Sequence, residues 1–240
     1  LSVQGNSYIS GTGFFGGAIT GTSTLAITGN TTLTGTTTIQ GLTVGLGFSS
    51  VTTNTAVGVS ALAANTTGTN NTAIGFNSGL VNQAGISNTS VGSNALKSNN
   101  SDSNTAVGAS ALLNNTGSSN TALGDSALST NTSGTRNIGI GRSALLLNST
   151  GDDNLGIGNR SGYNALGSNN LFLGSHAGEY ETGGNSFYLN TLDQSNTAND
   201  KAKSLMYGPF NTTAASQTLT IKASTTVAQN FQVLGTATST

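Results

Sequence analysis

Single apolar residues, separated by small and polar ones, recur through the middle of the chain at intervals of 16 or 17 residues. Each interval contains the pattern Asn-x-x-aliphatic-Gly, and eight copies end in a glycine. These glycines are Gly58, Gly75, Gly92, Gly108, Gly124, Gly141, Gly158 and Gly174. A ninth, degenerate copy ends at Asn190, sixteen residues after Gly174. Helical repeats such as the tetratricopeptide unit need about 34 residues, so this shorter period predicts the coils of an all-β solenoid.

The three residues between the Asn and the Gly alternate in character. The first is Thr in five copies and then Ile138, Leu155 and Leu171; the second is small except for Phe172; the third is always aliphatic. This alternation predicts a short strand. We expect the aliphatic third column to lie in the core and the small second column to let a neighbouring chain approach closely. A second short strand or extended segment is expected after the glycine, at positions such as Ala61, and turns are expected in stretches such as "NTTGTN".

The asparagine of the repeat is present in all eight copies. The residues are Asn54, Asn71, Asn88, Asn104, Asn120, Asn137, Asn154 and Asn170. In stacked coils, identical amides lie one strand spacing apart, about 4.8 Å, and can hydrogen-bond to one another. Asn also tolerates the turn conformations at a coil corner. We therefore predict a structural ladder of asparagines, and we expect the marker glycines to supply positive φ or room for a close neighbour.

Spacing and composition divide the chain into four segments. They are residues 1–50, 51–190, 191–211 and 212–240. The first repeats Gly about every six residues and predicts a β shaft rich in Gly and Thr, whereas the second carries the solenoid coils. The third contains the only proline, Pro209, and is expected to be a connector or neck. The last spaces Ile221, Val227 and Val233 six residues apart, which predicts another β shaft that continues beyond the chain end.

Charged residues are scarce throughout the chain, and their scarcity limits the classes of partner that we expect. Only 6% of the 240 residues are charged, the formal net charge is −1, and the seven Lys and Arg residues are scattered. No basic stripe is present to neutralise phosphates, so nucleic acid is not an expected partner. The absence of Cys excludes disulfides and thiolate metal sites. No apolar run reaches the roughly 18 residues of a membrane helix.

Few residues are candidates for chemistry. His176 is the only histidine and has no Cys or second His for a metal site or a triad, so we expect a turn or surface residue. Asp152 and Asp153 share a turn slot, but calcium takes about six to eight oxygens and no bound ion is expected. Glu179 and Glu181 belong to too irregular a set of acids for a glycosidase pair. We therefore predict no catalytic, cofactor-binding or metal-binding residues.

The threonine column raises one alternative function. Its members are Thr55, Thr72, Thr89, Thr105 and Thr121. A flat array of threonines on a β-solenoid can bind ice. The column continues as Ile138, Leu155 and Leu171, and this exchange favours a partly buried column. Ice binding is kept as an alternative.

The unit "NTAVG" at residues 54–58, followed by "SAL" at residues 60–62, resembles the head repeat of YadA-type trimeric autotransporter adhesins, and related repeats occur in phage tail fibres. The stretch "SLMYGPF" at residues 204–210 also looks like a connector that follows such repeats in fibre proteins. The resemblance implies a left-handed parallel β-roll and a homotrimer in which three chains pack side by side. It covers residues 54–190, and the coils here are slightly longer than the usual adhesin-head coil.

These observations lead us to expect a structural, non-enzymatic segment of an extracellular fibre or adhesin. Such a rigid rod would mediate attachment at a cell or virion surface, with a surface or glycan receptor that the sequence does not identify. The alternatives are a receptor-binding phage tail fibre and an ice-binding solenoid. Whether the rods join end to end into a longer fibre stays open at this stage.

Overall fold

The computed structural model describes residues 37–39, 42–46, 51–191, 195–209 and 218–221. They belong to Gly35–Thr240, the larger of two compact units, the smaller being Leu1–Thr34. The six-residue spacing predicted for segments 1–50 and 212–240 falls almost entirely outside the described residues.

The described strands form one sheet whose spatial order follows the order of the chain. The strands are β1 (Thr37–Ile39), β2 (Leu42–Gly45), β3 (Thr55–Val57), β4 (Thr72–Ile74), β5 (Thr89–Val91), β6 (Thr105–Val107), β7 (Thr121–Leu123), β8 (Ile138–Ile140), β9 (Leu155–Ile157), β10 (Leu171–Leu173), β11 (Ser186–Leu189), β12 (Met206–Pro209) and β13 (Thr220–Ile221). Strands β3 to β11 are parallel, whereas β1, β2, β12 and β13 pair antiparallel with their neighbours.

Each repeat contributes one short strand to the parallel part of the sheet. Equivalent positions pair directly, as Thr55 does with Thr72 and Val57 with Ile74. Because each strand is followed by its equivalent 16 or 17 residues later, the chain winds as a β-solenoid of eight coils and the start of a ninth. The all-β prediction and the period are confirmed, and α1 (Thr197–Lys203) is the one helix within the described ranges.

The second strand predicted for each coil is wrong. The residues two and four positions after the marker glycine have positive φ, as in Ser60 (61°) and Leu62 (49°), so the chain turns tightly instead of extending. Alternate N–H groups still bond to the next coil: the Leu62 N–H donates to the Ser78 carbonyl at 3.0 Å, and the Ala64 N–H to the Leu80 carbonyl at 3.0 Å. The N–H groups between them close turns within their own coil.

The core is lined by the small second column of the strands, not by the aliphatic third column as the sequence suggested. Ala56, Ala73, Ala106 and Ala122 are buried, and they share the core with a column of buried leucines from the turn. Those leucines are Leu62, Leu96, Leu112, Leu128 and Leu145. A coil of this size has room for about two small side chains and one large one, such as Ala106, Ala111 and Leu112, so the wider Val, Ile and Leu of the third column face outward.

Aromatic side chains fill the core at the C-terminal end of the stack. The Phe172 ring lies 5.9 Å from that of Tyr188, and the Tyr188 ring lies 6.3 Å from that of Tyr207 in β12. The leucine slot of these coils is occupied by Gly162 and Gly178, where a Cβ would overlap the Phe172 ring. Glycine stands here where other coils have leucine, and this makes room for Phe172, which stands where other coils have a small residue.

The predicted connector, residues 191–211, contains α1 and β12. The helix begins after Asn196, whose side-chain oxygen accepts a hydrogen bond from the Asn199 N–H at 2.9 Å. The Thr197 hydroxyl donates to the Tyr180 carbonyl, which ties the start of the helix to the last coil. Pro209 is the last residue of β12.

Candidate interaction face

The eight repeat asparagines are all buried at the coil corner. Each side-chain oxygen accepts a hydrogen bond from the backbone N–H at the equivalent position of the next coil, as from Asn137 to Asn120 at 2.9 Å and from Ser186 to Asn170 at 2.9 Å. Each side-chain NH₂ donates to a turn carbonyl of its own coil, as Asn120 does to Gly134 at 2.8 Å. The ladder therefore bonds mainly from amide to backbone, instead of from amide to amide as we expected. One side chain both closes its coil and holds the following one.

A second asparagine column lies eleven residues after the first, and the sequence analysis missed it. Its buried members are Asn65, Asn82, Asn99, Asn115, Asn131 and Asn148. Here the amides do bond to each other: the Asn115 NH₂ donates to the Asn99 oxygen at 2.9 Å, and the Asn131 NH₂ to the Asn115 oxygen at 2.7 Å. The signal was present as a recurring Asn in the turns, but it stops at Ala165 and Glu181 and is masked by neighbouring turn asparagines.

The marker glycines are required at the corner for two reasons. Gly58 has a φ of 128°, outside the range that side-chain-bearing residues readily adopt. A Cβ on Gly58 would also lie 2.7 Å from the carbonyl oxygen of Gly75 in the next coil. Both expectations for this column are thus met at the same residue.

The outward side of the sheet carries two continuous rows of side chains, which we call the outer face. The first row is Thr55, Thr72, Thr89, Thr105, Thr121, Ile138, Leu155, Leu171 and Phe187. The second is Val57, Ile74, Val91, Val107, Leu123, Ile140, Ile157, Leu173 and Leu189. No charged residue interrupts either row.

The second row lies on the surface of the chain: three of its nine residues are exposed and the other six are partly buried. Ile74 is 40% exposed, Leu123 48% and Ile157 38%. The pairing of Leu189 with Met206, and of Met206 with Ile221, extends the row across the antiparallel strands. At about 4.8 Å per strand, nine parallel strands alone give a stripe roughly 40 Å long. A long uncharged apolar stripe of this kind is typical of an interaction surface.

A buried charged cluster closes the last coils, and sequence reasoning did not find it. The Glu179 carboxylate is 1% exposed and accepts from the Arg160 guanidinium at 2.6 Å, with His176 Nδ1 at 2.5 Å from its other oxygen. The Arg160 guanidinium also lies 4.2 Å from the centre of the Tyr163 ring. His176 has a φ of 61° and sits in the turn, as expected, but its side chain packs against Glu179.

The other acidic candidates are engaged by neighbouring groups. Glu181 accepts from the Tyr188 hydroxyl at 2.6 Å and from the Gly183 N–H at 2.9 Å. Asp153 pairs with Arg136 at 2.7 Å on the surface, and the hydrogen bond from this guanidinium lowers the pKa of the Asp153 carboxyl. The pKa of Asp152 is lowered mainly by the hydrogen bond from the Thr135 backbone.

Neither a metal-binding cluster nor a membrane-spanning helix is present among the described residues. No group of three or more His, Cys, Asp or Glu side chains in this part of the chain is arranged to hold a metal ion. None of the helical residues described forms a segment long and apolar enough to cross a membrane. In comparisons with known proteins, no family model, curated protein or solved structure matches the chain.

Proposed function

We propose that the chain is a structural, non-enzymatic segment of an extracellular fibre, in which three copies pack side by side through their outer faces. The fibre mediates attachment at a cell or virion surface. The observation that carries this proposal is the outer face itself, with two uncharged rows that run over nine parallel strands and an aliphatic row whose members are all exposed or only partly buried in a single chain.

The energetics favour a second copy as the partner of this face. Full burial of a Val, Leu or Ile side chain contributes about 1.5–3 kcal/mol, so a half-exposed one has roughly 1 kcal/mol left to gain. Three exposed residues and six partly buried ones per chain then supply a gain comparable with the lower part of an association cost of about 4–15 kcal/mol. An identical row has the same spacing and also lacks charge, so it matches the stripe without leaving a charge unpaired.

The proposal of an extracellular fibre is argued from the sequence of the repeat. Its resemblance to adhesin heads and to phage tail-fibre repeats supports an extracellular rod whose length is set by the number of coils. A surface of hydroxyls and amides with 6% charged residues changes little with pH or salt, which suits exposure outside the cell. A receptor-binding tail fibre and a bacterial adhesin use the same architecture, and the proposal covers both.

Ice binding remains the second candidate because the threonine row faces outward. Thr55 is exposed, and its row lies beside the aliphatic row on a sheet of parallel strands. We expected these threonines to be partly buried. In the structure their side chains lie on the outer side of the sheet, away from the core. The two functions exclude each other, since a face covered by other chains cannot contact ice.

Sedimentation equilibrium of the folded chain tests the proposal. We expect a mass three times the 23.8 kDa of one chain. Leu123→Lys places a charge in the outer face and should reduce the mass to that of a monomer, whereas Asn114→Lys, on an exposed turn, should leave the trimer intact. A folded wild-type monomer would refute side-by-side packing, and thermal hysteresis in that monomer would establish the ice-binding alternative.

A further inference from the structure

An open cleft of about 290 Å³ lies on the turn side of the last coils, away from the outer face. Its apolar walls are Leu147, Leu166 and Tyr180, and its polar groups include Asn164 and Thr182. The first residue of α1, Thr197, and its cap, Asn196, close one side. No lining residue belongs to a strand, so packing through the outer face leaves the cleft accessible.

The cleft exists only where the repeat departs from its own pattern. Leu147, Asn164 and Tyr180 occupy the same turn position in three successive coils, six residues after the marker glycine. The earlier coils place Ala64, Val81, Ser98, Asn114 and Thr130 there, and none of these is as large as Leu147 or Tyr180. The hydrogen bond from the Thr197 hydroxyl to the Tyr180 carbonyl then fixes the helix against this wall.

Two polar groups of the cleft are available to form hydrogen bonds with a ligand. The Asn164 NH₂ donates to the Glu179 carbonyl at 2.9 Å, which orients the side-chain amide. Within the described residues, neither the Asn164 side-chain oxygen nor the Thr182 hydroxyl has a hydrogen-bond partner. A small number of placed polar groups among apolar walls is the usual composition of a small-molecule site.

We infer that this cleft binds a neutral hexose unit of a surface glycan. None of its lining residues is ionisable at neutral pH, which matches an uncharged ligand. A hexopyranose has an apolar C–H face for the Tyr180 and leucine side chains, together with hydroxyls for the Asn164 oxygen and the Thr182 hydroxyl. The volume corresponds to the lower end of the roughly 300–1,000 Å³ of ligand pockets, enough for one or two sugar rings. The inference rests on the proposed attachment function and names the chemistry of the receptor.

Saturation-transfer NMR with four probes, the methyl glycosides of glucose, galactose, mannose and N-acetylglucosamine, tests the inference on the full chain. We expect transfer to at least one glycoside. Asn164→Ala and Tyr180→Leu should each weaken its binding about tenfold or more, the effect of losing about 1.4 kcal/mol. Asn114→Ala, at the same turn position three coils earlier, should bind like the wild type.

Thr182→Ala provides a variant at an exposed position whose fold is not at risk, and it should also weaken binding. No transfer to any of the four glycosides from the folded wild type would overturn the inference, as would unchanged binding by the Asn164, Tyr180 and Thr182 variants. The mass of the same samples separates the two proposals. A trimer without transfer refutes the glycan site alone, and a monomer with transfer refutes the side-by-side packing alone.

Discussion

Asparagine is the residue on which the stack depends, because one side chain satisfies buried backbone groups in two directions. The Asn120 amide accepts from the Asn137 N–H and donates to the Gly134 carbonyl, and Asn120 itself is fully buried. Neither backbone group can turn to solvent if the amide is removed. An ionised Asp at this corner could accept from the N–H but could not donate to the carbonyl, whereas the Asn amide does both.

Asn120→Ala is expected to lower the free energy of unfolding by about 1–3 kcal/mol, because the buried Asn137 N–H loses its acceptor, whereas the Gly134 carbonyl keeps a hydrogen bond from Asn131. Asn114→Ala is the matched control, since Asn114 is exposed in a turn of the preceding coil. Chemical denaturation of both variants measures the difference. Equal denaturation midpoints for the two variants would show that the asparagine column does not stabilise the fold.

At the scale of the strand, the decisive feature is which column faces inward. In β6 the middle residue, Ala106, is 0% exposed, whereas the flanking Thr105 and Val107 are partly exposed. A three-residue strand can direct only its middle side chain into so thin a core. The two flanking positions are then free to form the outer face.

The pair Ala106→Asp and Val107→Asp tests this orientation. Ala106→Asp places a carboxylate in the core and should prevent stable folding of the coil, at a cost of more than about 3 kcal/mol. Val107→Asp should retain the circular dichroism of the wild type but reduce the sedimenting mass. If Val107→Asp unfolds the chain while Ala106→Asp does not, the assignment of core and outer face is reversed.

The sequence predicted the period, the solenoid, the strand and the glycine corner because each leaves a strict column in the repeat. It did not reveal which strand column is buried, since a row of Ala and a row of Val both suit either a thin core or a close contact between chains. The turn was also misread, because Ser60 and Leu62 adopt left-handed conformations that these residue types rarely take.

The features that remained hidden at the candidate sites depend on contacts between coils. Arg160 and Glu179 are 19 residues apart and belong to different coils, so their ion pair is visible only after stacking. The cleft near Tyr180 additionally needs the helix α1, which the composition of the connector did not predict. Departures from the repeat were the available signal, and they cluster in the last three coils.

At the scale of the whole described unit, the parallel stack ends in antiparallel strands at both sides. β2 pairs with β3 through Val44 and Val57, and β12 pairs with β11 through Met206 and Leu189. At the C-terminal end, the register of β12 and β13 continues the aliphatic row through Met206 and Ile221. If three copies pack through their outer faces as proposed, we expect the contact to continue past the last coil.

The central claim is that the outer faces of three chains meet, and the absence of Cys makes this directly measurable. A single Cys introduced as Leu123→Cys carries a spin label in the outer face, and Asn114→Cys carries one on an exposed turn. Sheets that pack face to face lie about 10 Å apart, so pulsed dipolar spectroscopy should give short distances between labels at position 123 and clearly longer ones at position 114. Distances at position 123 equal to or longer than those at 114, or no dipolar coupling at either, would contradict the account.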